Sequence, residues 1–423
     1  MSIANFLSLA WQSLLSRRAT ALLTILSVAL SVALFLGVDK IRRSAEASFE
    51  ATISGTDLIV GARSGQINLL LYSVFRIGNA TNNISWDSYE AVANRPEVEW
   101  TIPLSLGDSH KGYRVLGTNG SYFQHFEYGG GRSLSLAEGG RFNAPDDVVL
   151  GAAVARELNY SLGDEIIIAH GLQSVSFAEH KDDPFTVVGI LAPTGTPVDR
   201  TVHVSLEGLD AVHADFPSAT LVRARAPAVD EAMSGDDYKA ESITAFMVGL
   251  KNRALVLRLQ RDINTYEDEA LLGIIPGIAL AELWSVVGTA ETALLAISGF
   301  VVMTGLLCLL TAILTSLNER RREVAVLRAA GAQRGHVFSL LIVESALVGF
   351  IGALVGAGFI YGGLGIAGPI IEGRYGVPLA NLGPSLYDLM ILGGVVGAAT
   401  LLGAIPAWRA YQNALSDGLS VKL

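Results

Sequence analysis

Four stretches of the chain, residues 19–38, 292–317, 345–371 and 389–408, contain no Asp, Glu, Lys or Arg. At about 1.5 Å of rise per residue each can cross the ~30 Å hydrocarbon layer of a bilayer as a helix, and a water-soluble core has no room for four of them. The expected fold class is therefore a membrane protein with four transmembrane α-helices. Between the first and second span, no uncharged run in residues 44–285 is long enough to cross a membrane. Short β-rich segments separated by turns replace it there. This region reads as one large mixed α/β domain inserted between helices 1 and 2. Strands are expected at 57–60, 100–106, 113–116, 148–150, 165–169, 185–191, 201–204 and 243–248, and helices at 152–159, 207–213 and 252–263. Strands and helices alternate only in part, which favours a mixed domain in two lobes over a doubly wound sheet.

Orientation is set by the charged island at 318–336, NERRREVAVLRAAGAQRGH, which lies between two apolar runs and so belongs at the cytoplasmic surface. It also reads as a helix, with Asn318 as a cap, Glu319 near the positive end of the dipole and Gly331 as a stop. Two readings remain open: an ordinary positive-inside loop, or a docking helix that receives force from a cytoplasmic partner. The first 18 residues repeat apolar side chains at helical spacing, with Trp11 among them and Arg17 and Arg18 at the end, as in a helix lying in the membrane interface. A cleaved signal peptide is the competing reading, but the apolar run is too long and starts too far from the N-terminus. Lys40, Arg42 and Arg43 follow the first span on its outer side and run against the charge bias.

The expected partition is thus an interfacial helix at 1–18, a first span at 19–40, the inserted domain at 41–285, a second span with a stalk at 286–317, the cytoplasmic island at 318–336, a third span at 337–371, a short outer loop at 372–387, a last span at 388–408 and a cytoplasmic tail at 409–423. Gly352 and Gly356, then Gly358 and Gly362, recur at four-residue spacing in the third span, where small residues let helices approach closely. Glu344 is an acid flanked by membrane-depth sequence, so it should face a helix or water and not lipid. Pairing with Arg334 or His336 is one reading, and a relay of motion between helices is the other.

Chemistry is sparse. No GxxxxGK[ST] phosphate loop, GxSxG or HExxH occurs, and the single cysteine, Cys308, sits within an apolar run. An enzyme is therefore not expected. The net charge of −10 argues against nucleic acid as a partner. His110, His125, His170, His180, His203 and His213 fall in the inserted domain. His170, His180 and Asp182 are weak candidates for zinc, but their spacing matches no compact ligand motif, and a solvated turn is the alternative. Two loops stand out. Residues 215–242 carry few large apolar side chains, and residues 63–83 surround Leu69-Leu70-Leu71-Tyr72, which is either core or an exposed apolar contact.

The segment ERRREVAVLRAAGAQRGHVFSLLIVESALVGFIGALVG resembles the hallmark of the FtsX-like, MacB-type family of ABC-transporter permeases, which includes the lipoprotein-release permeases. The N-terminal interfacial helix, the domain between spans one and two, VVLGAAVARELNYSLGD, FTVVGILAPTGTPVDR and the ending AIPAWRAYQNAL are similar to the family as well. The resemblance implies a bacterial inner-membrane subunit with both termini in the cytoplasm, working as a homodimer by mechanotransmission. Glu319, Arg320, Arg321, Arg322, Glu323, Leu327 and Arg328 would form the helix that docks on an ATPase. That ATPase, with its ATP and Mg, is expected on a separate chain, so that this one binds no cofactor. Periplasmic proteins or lipoproteins, and membrane lipid, are the other implied partners. A signalling scaffold that activates a periplasmic enzyme, or a component of zinc uptake, stands as the alternative function.

Overall fold

A computed structural model describes residues 3–170, 184–214, 238–319, 329, 331–375 and 383–416. They divide into two units, one formed by the described residues of 3–44, 288–370 and 383–416, the other by those of 45–287 and 371–375.

The first unit is helical. α1 (Ile3–Ser16) precedes α2 (Arg18–Ala51), and four helices, α2 among them, are long and apolar enough to cross a membrane. The unit's three other long helices are Pro276–Glu319, Arg334–Tyr375 and Leu386–Ser416. All four run past the expected ends of the spans. The outer loop expected at 372–387 therefore begins inside the third span's helix, and the tail expected at 409–423 begins inside the last one, because nothing in these flanks breaks a helix.

Small residues set the contacts between these helices. Ser31 of α2 donates to the carbonyl of Val301 at 3.1 Å, and a Cβ at Gly305 would fall 2.5 Å from the Ser31 hydroxyl. Cβ atoms at Gly352 and Gly356 would meet Val28, Ala29 and Val32 of α2. One at Gly349 would meet Ala399 of the last helix, as would one at Gly403 with Ser345. α2 thus lies between the second and third spans, and the third lies between α2 and the fourth. Val28, Val32, Leu36, Leu309, Leu341, Val348, Val395 and Ala399 fill the interior. Leu22, Leu26, Leu30, Phe300, Phe359, Ile366 and Leu401 point outward, an apolar surface of the kind that suits a membrane.

The second unit is a mixed sheet. Its main strands, in chain order, are β1 (Leu58–Ala62), β2 (Val98–His110), β3 (Tyr113–Thr118), β4 (Leu136–Gly139), β5 (Asp147–Leu150), β6 (Phe185–Leu191), β7 (Thr201–Ser205), β8 (Ala245–Leu250) and β9 (Leu271–Ile274). Their order across the sheet is β9-β1-β8-β2-β3-β7-β5-β6-β4. Pairs β3–β7 and β5–β6 are parallel and the remaining neighbours antiparallel. The long β2 joins the two halves: residues 98–104 pair with β8, residues 105–110 pair with β3, and the register shifts between Leu106 and Ser109. The shorter strand pairs Ile84–Ser85 with Ser242–Ile243, and Glu127–Tyr128 with Arg132–Ser133, lie off this sheet.

β1, β7 and β8 are buried along their whole length, which accounts for the near-continuous apolar runs of β1 and β8; β7, TVHVS, buries Thr201, His203 and Ser205 as well. Successive residues alternate between the two faces: Ile59 and Met247 join one core, Leu58, Val60 and Phe246 the other. β6 is buried at every second residue, although FTVVGIL is apolar at Val188 and Ile190 on its less buried face as well.

Helices cover both faces. α3 (Gln66–Ser73) occupies the segment expected as a loop, and Leu69, Leu70 and Tyr72 are core, so the apolar patch is no exposed contact. α4 (Trp86–Ala93), α5 (Gly120–His125), α6 (Ala152–Leu158) and α7 (Leu206–Ala214) follow. α8 (Val256–Asn264) buries Leu259 and Ile263 and starts later than expected, after a 3-10 turn at Arg253–Leu255. Asn159 ends α6 in the left-handed conformation. The three long helices already given are α9 (Pro276–Glu319), α10 (Arg334–Tyr375) and α11 (Leu386–Ser416).

Candidate functional site

The expected docking residues fall at the edge of the described structure. α9 continues through Asn318 to Glu319, so the backbone at Asn318 is helical and not that of the expected cap, because SLNE contains no breaker. Arg320, Arg321, Arg322, Glu323, Leu327 and Arg328 lie outside the described residues. Gly331 has φ +94, the left-handed geometry of a helix stop. α10 then starts at Arg334, so residues 334–336 belong to the third span's helix and not to the island. His336 secures that start, its Nδ1 accepting from the amide of Gln333 at 3.1 Å. At the other end of α1, Arg17 donates to the carbonyl of Ser316 at 3.1 Å, a cation placed on the C-terminal end of α9.

Glu344 is 6% exposed and shares a face of α10 with Val337, Leu341 and Ser345, turned toward the interior of the helical unit. His336 and Arg334 lie about 12 and 15 Å away along the same helix, beyond direct pairing. The four glycines expected to pack also separate. Gly352 and Gly356 lie against α2, whereas at Gly358 and Gly362 no atom of the described residues comes within 4 Å of an added Cβ. Gly305, Gly349 and Gly403 take close contacts instead, without the four-residue spacing that drew attention to the others.

Histidine chemistry is structural wherever it is described. Nδ1 of His110 bonds the carbonyl of Ile167 at 2.6 Å, and its Nε2 meets the Tyr160 hydroxyl at 3.1 Å. His203 is buried against Val149 O at 3.2 Å and Tyr122. His125 stacks on Trp100. His170 sits in a two-residue strand paired with β2, and His180 and Asp182 lie outside the described residues.

The most unusual polar assembly lies at the C-terminal part of α2. Lys40 meets Asp388 of α11 at 2.7 Å, with the two side chains 4% and 1% exposed. Lys40 also donates to Gly383 O at 3.0 Å and sits 5.5 Å from the ring centre of Tyr361 on α10. The same carboxylate oxygen accepts from the Tyr361 hydroxyl at 2.6 Å and the Ser385 amide at 2.7 Å, while Ser385 Oγ accepts from the Asp388 amide. Ser385 and Asp388 therefore form a reciprocal cap at the start of α11. Next to Lys40, buried Asp39 pairs with Arg43 at 2.9 Å, and Arg42 pairs with Glu291 of α9 at 3.5 Å. Arg43 also lies 4.5 Å from the ring centre of Tyr387.

The cations that ran against the charge bias are thus each matched by a carboxylate. The cluster touches all four long helices at one level. The sequence carried one signal for it that went unread: Ser385-x-x-Asp388 directly before an apolar run.

Comparison with known proteins bears on both units. The family described as MacB-like periplasmic core domain matches residues 21–236, and that described as FtsX-like permease C-terminal matches residues 295–414. An uncharacterized ABC transporter permease, YknZ of Bacillus subtilis, is 30% identical over 109 residues, covering 26% of this chain and 25% of that protein. The macrolide export ATP-binding/permease protein MacB of Photorhabdus laumondii is 23% identical over 373 residues, 84% of this chain and 52% of that protein. The pyoverdine export ATP-binding/permease protein PvdT of Pseudomonas aeruginosa is 23% identical over 349 residues, 78% and 46%. The chain spans about half the length of these last two relatives. Among solved structures, the periplasmic region of MacB from Actinobacillus actinomycetemcomitans aligns with a TM-score of 0.33 at 11% identity, over 55% of this chain and 94% of that one. The extracellular domain of YknZ from Gram-positive bacteria aligns with a TM-score of 0.29 at 12% identity, over 52% and 99%.

Proposed function

Since the chain belongs to the ABC-transporter permeases that join a MacB-like periplasmic core domain to an FtsX-like permease region, we propose that it transmits the ATPase cycle across the inner membrane to a substrate or partner on the far side. The nucleotide is hydrolysed on a separate ATPase chain, with ATP and Mg held there, and the arginine-rich segment 320–328 receives the motion. Both termini then lie in the cytoplasm, and a second copy of the chain completes the assembly. Two of the relatives are named for export, and outward movement is the direction proposed here.

The observation that carries this reading is the use made of charge among the spans. Lys40 pairs with Asp388, which also accepts from Tyr361, and Arg42 pairs with Glu291, so these groups tie α2 to α9, α10 and α11. Helices so fastened move as a body when one is pushed. The buried Lys40–Asp388 pair between α2 and α11 is costly to separate, so it favours discrete arrangements over gradual deformation.

The test is made at the docking segment. The ATPase is first identified by pull-down of the full chain from native membranes and mass spectrometry. Leu327→Asp should then abolish stimulation of its ATP turnover while leaving membrane insertion intact. Normal copurification together with normal turnover would overturn docking at this segment.

A further inference from the structure

The inserted unit holds a cavity of about 650 Å³ between the segment after α3 and the β2–β3 hairpin, lined in part by Tyr72, Arg76, Asn79, Asn82, Leu106 and Arg114. That is the size of a small-molecule site, and polar side chains predominate in its lining, with Leu106 and the Tyr72 ring supplying the apolar part. Two arginines open onto the same space, which is the feature that calls for an explanation.

Arg76 is held there by an uncommon backbone, φ +60, followed by Gly78 at φ +80. A non-glycine residue in this region is disfavoured, so the surrounding structure must impose it. Its Nη1 donates to the carbonyl of Ser73, while its Nε is buried without a hydrogen-bond partner. Arg114 donates from Nη2 to Gly78 O at 2.5 Å and to Asn79 Oδ1 at 3.0 Å. Among the described residues, no carboxylate pairs with either guanidinium. Tyr72, at 2% exposure, also has a hydroxyl without a partner.

The electrostatics agree with the geometry. Burial lowers the affinity of both guanidiniums for their protons, and the Arg76 charge lowers that of Arg114 further. Two like charges with unused N–H donors, partly withdrawn from water, form a site that an anion would stabilise. The planar guanidinium fork is matched to carboxylate and phosphate oxygens.

We propose that this cavity binds a molecule carrying an oxyanion, carboxylate or phosphate, seated between Arg76 and Arg114, with Asn79 and Asn82 contacting its neutral part. The site is contained in the inserted unit and does not depend on coupling to an ATPase.

The proposal is tested by isothermal titration calorimetry on the full chain in detergent, with inorganic phosphate, trialanine and trialanine amide as probes. At least one of the first two should bind, at least about tenfold more weakly after Arg114→Gln or Arg76→Gln and more weakly as salt rises. The amide should bind far more weakly than the free acid. Binding of phosphate alone identifies a phosphate ligand, binding of trialanine alone a carboxylate, and both the shared oxyanion chemistry. Circular dichroism checks that each variant folds, and the salt dependence of the unsubstituted chain stands whatever the variants do. No heat from either oxyanion, equal binding of the amide, or affinities that survive both substitutions would overturn the site.

Discussion

Lys40 Nζ and a carboxylate oxygen of Asp388 lie 2.7 Å apart although the residues are separated by most of the chain, and both side chains are almost completely withdrawn from solvent. A buried pair of this kind adds little over a well-packed apolar pair, but removing one partner strands the other charge at a cost of about 3–5 kcal/mol. Asp388→Asn should therefore destabilise the protein strongly, and Lys40→Met alone similarly. The double variant Lys40→Met/Asp388→Leu should recover most of the loss. Thermal unfolding of the purified chain in detergent provides the measurement. A double variant no better than the singles would mean that Asp388 acts chiefly through Tyr361 and Ser385, which bond the same oxygen.

Gly352 and Gly356 of α10 differ from Gly358 and Gly362 in what surrounds them, and the difference is measurable. A Cβ at Gly356 would fall 2.5 Å from the carbonyl oxygen of Ala29, a backbone atom that cannot rotate away. Gly356→Ala should cost about 1–3 kcal/mol through overpacking. Gly358→Ala meets nothing within 4 Å and should be neutral or mildly stabilising, since alanine is the better helix former. Equal losses at both positions, read from thermal midpoints, would contradict the packing described for α2 and α10.

The sequence made the four spans and the inserted α/β domain legible because each rests on a strong local signal, an uncharged run or a period-2 strand. FTVVGIL at 185–191 shows the limit of local signals: its short β-branched, apolar run locates β6 but is silent on its parallel partner β5. Leu69-Leu70-Leu71-Tyr72 was ambiguous because an apolar run reads alike whether covered or bare. Only the sheet behind it makes it core. The charge cluster was illegible for a different reason. Lys40 and Arg42 looked like exceptions to a topology rule until Asp388 and Glu291, remote in the chain, were placed beside them. Pairing across such distances has no local signature.

His203 makes the inserted domain sensitive to acid. Its Nδ1 bonds the carbonyl of Val149, its Nε2 is buried without a partner, and burial together with the Arg76 charge holds its pKa down at about 3. An unfolded chain takes up the proton near pH 6.5, so stability is full above that value. It is lost as pH falls toward about 3, by up to about 1.4 kcal/mol per pH unit. His203→Gln should flatten this dependence, as followed by thermal unfolding across that range. His110, whose pKa burial also lowers, keeps a part of it. A variant with the same acid response as the parent would assign the effect elsewhere.

Asp199 offers a test with the opposite sign. Its carboxylate accepts from the Thr194 amide and hydroxyl and from the Gly195 amide, each at 2.8 Å, and so fixes the turn between β6 and β7. Asp199→Ala leaves these donors unpaired and should cost about 1–3 kcal/mol. Burial outweighs the hydrogen bonds and raises the carboxyl above its ordinary range. The folded protein therefore holds this proton more tightly than the unfolded chain, and the associated stability is present at low pH and lost as pH rises through the folded pKa. Asp199→Asn cannot titrate, so its deficit against the parent should be larger at about pH 4 than at about pH 7. A deficit that instead grows with pH would mean that the three donors, and not burial, control the charge at this turn.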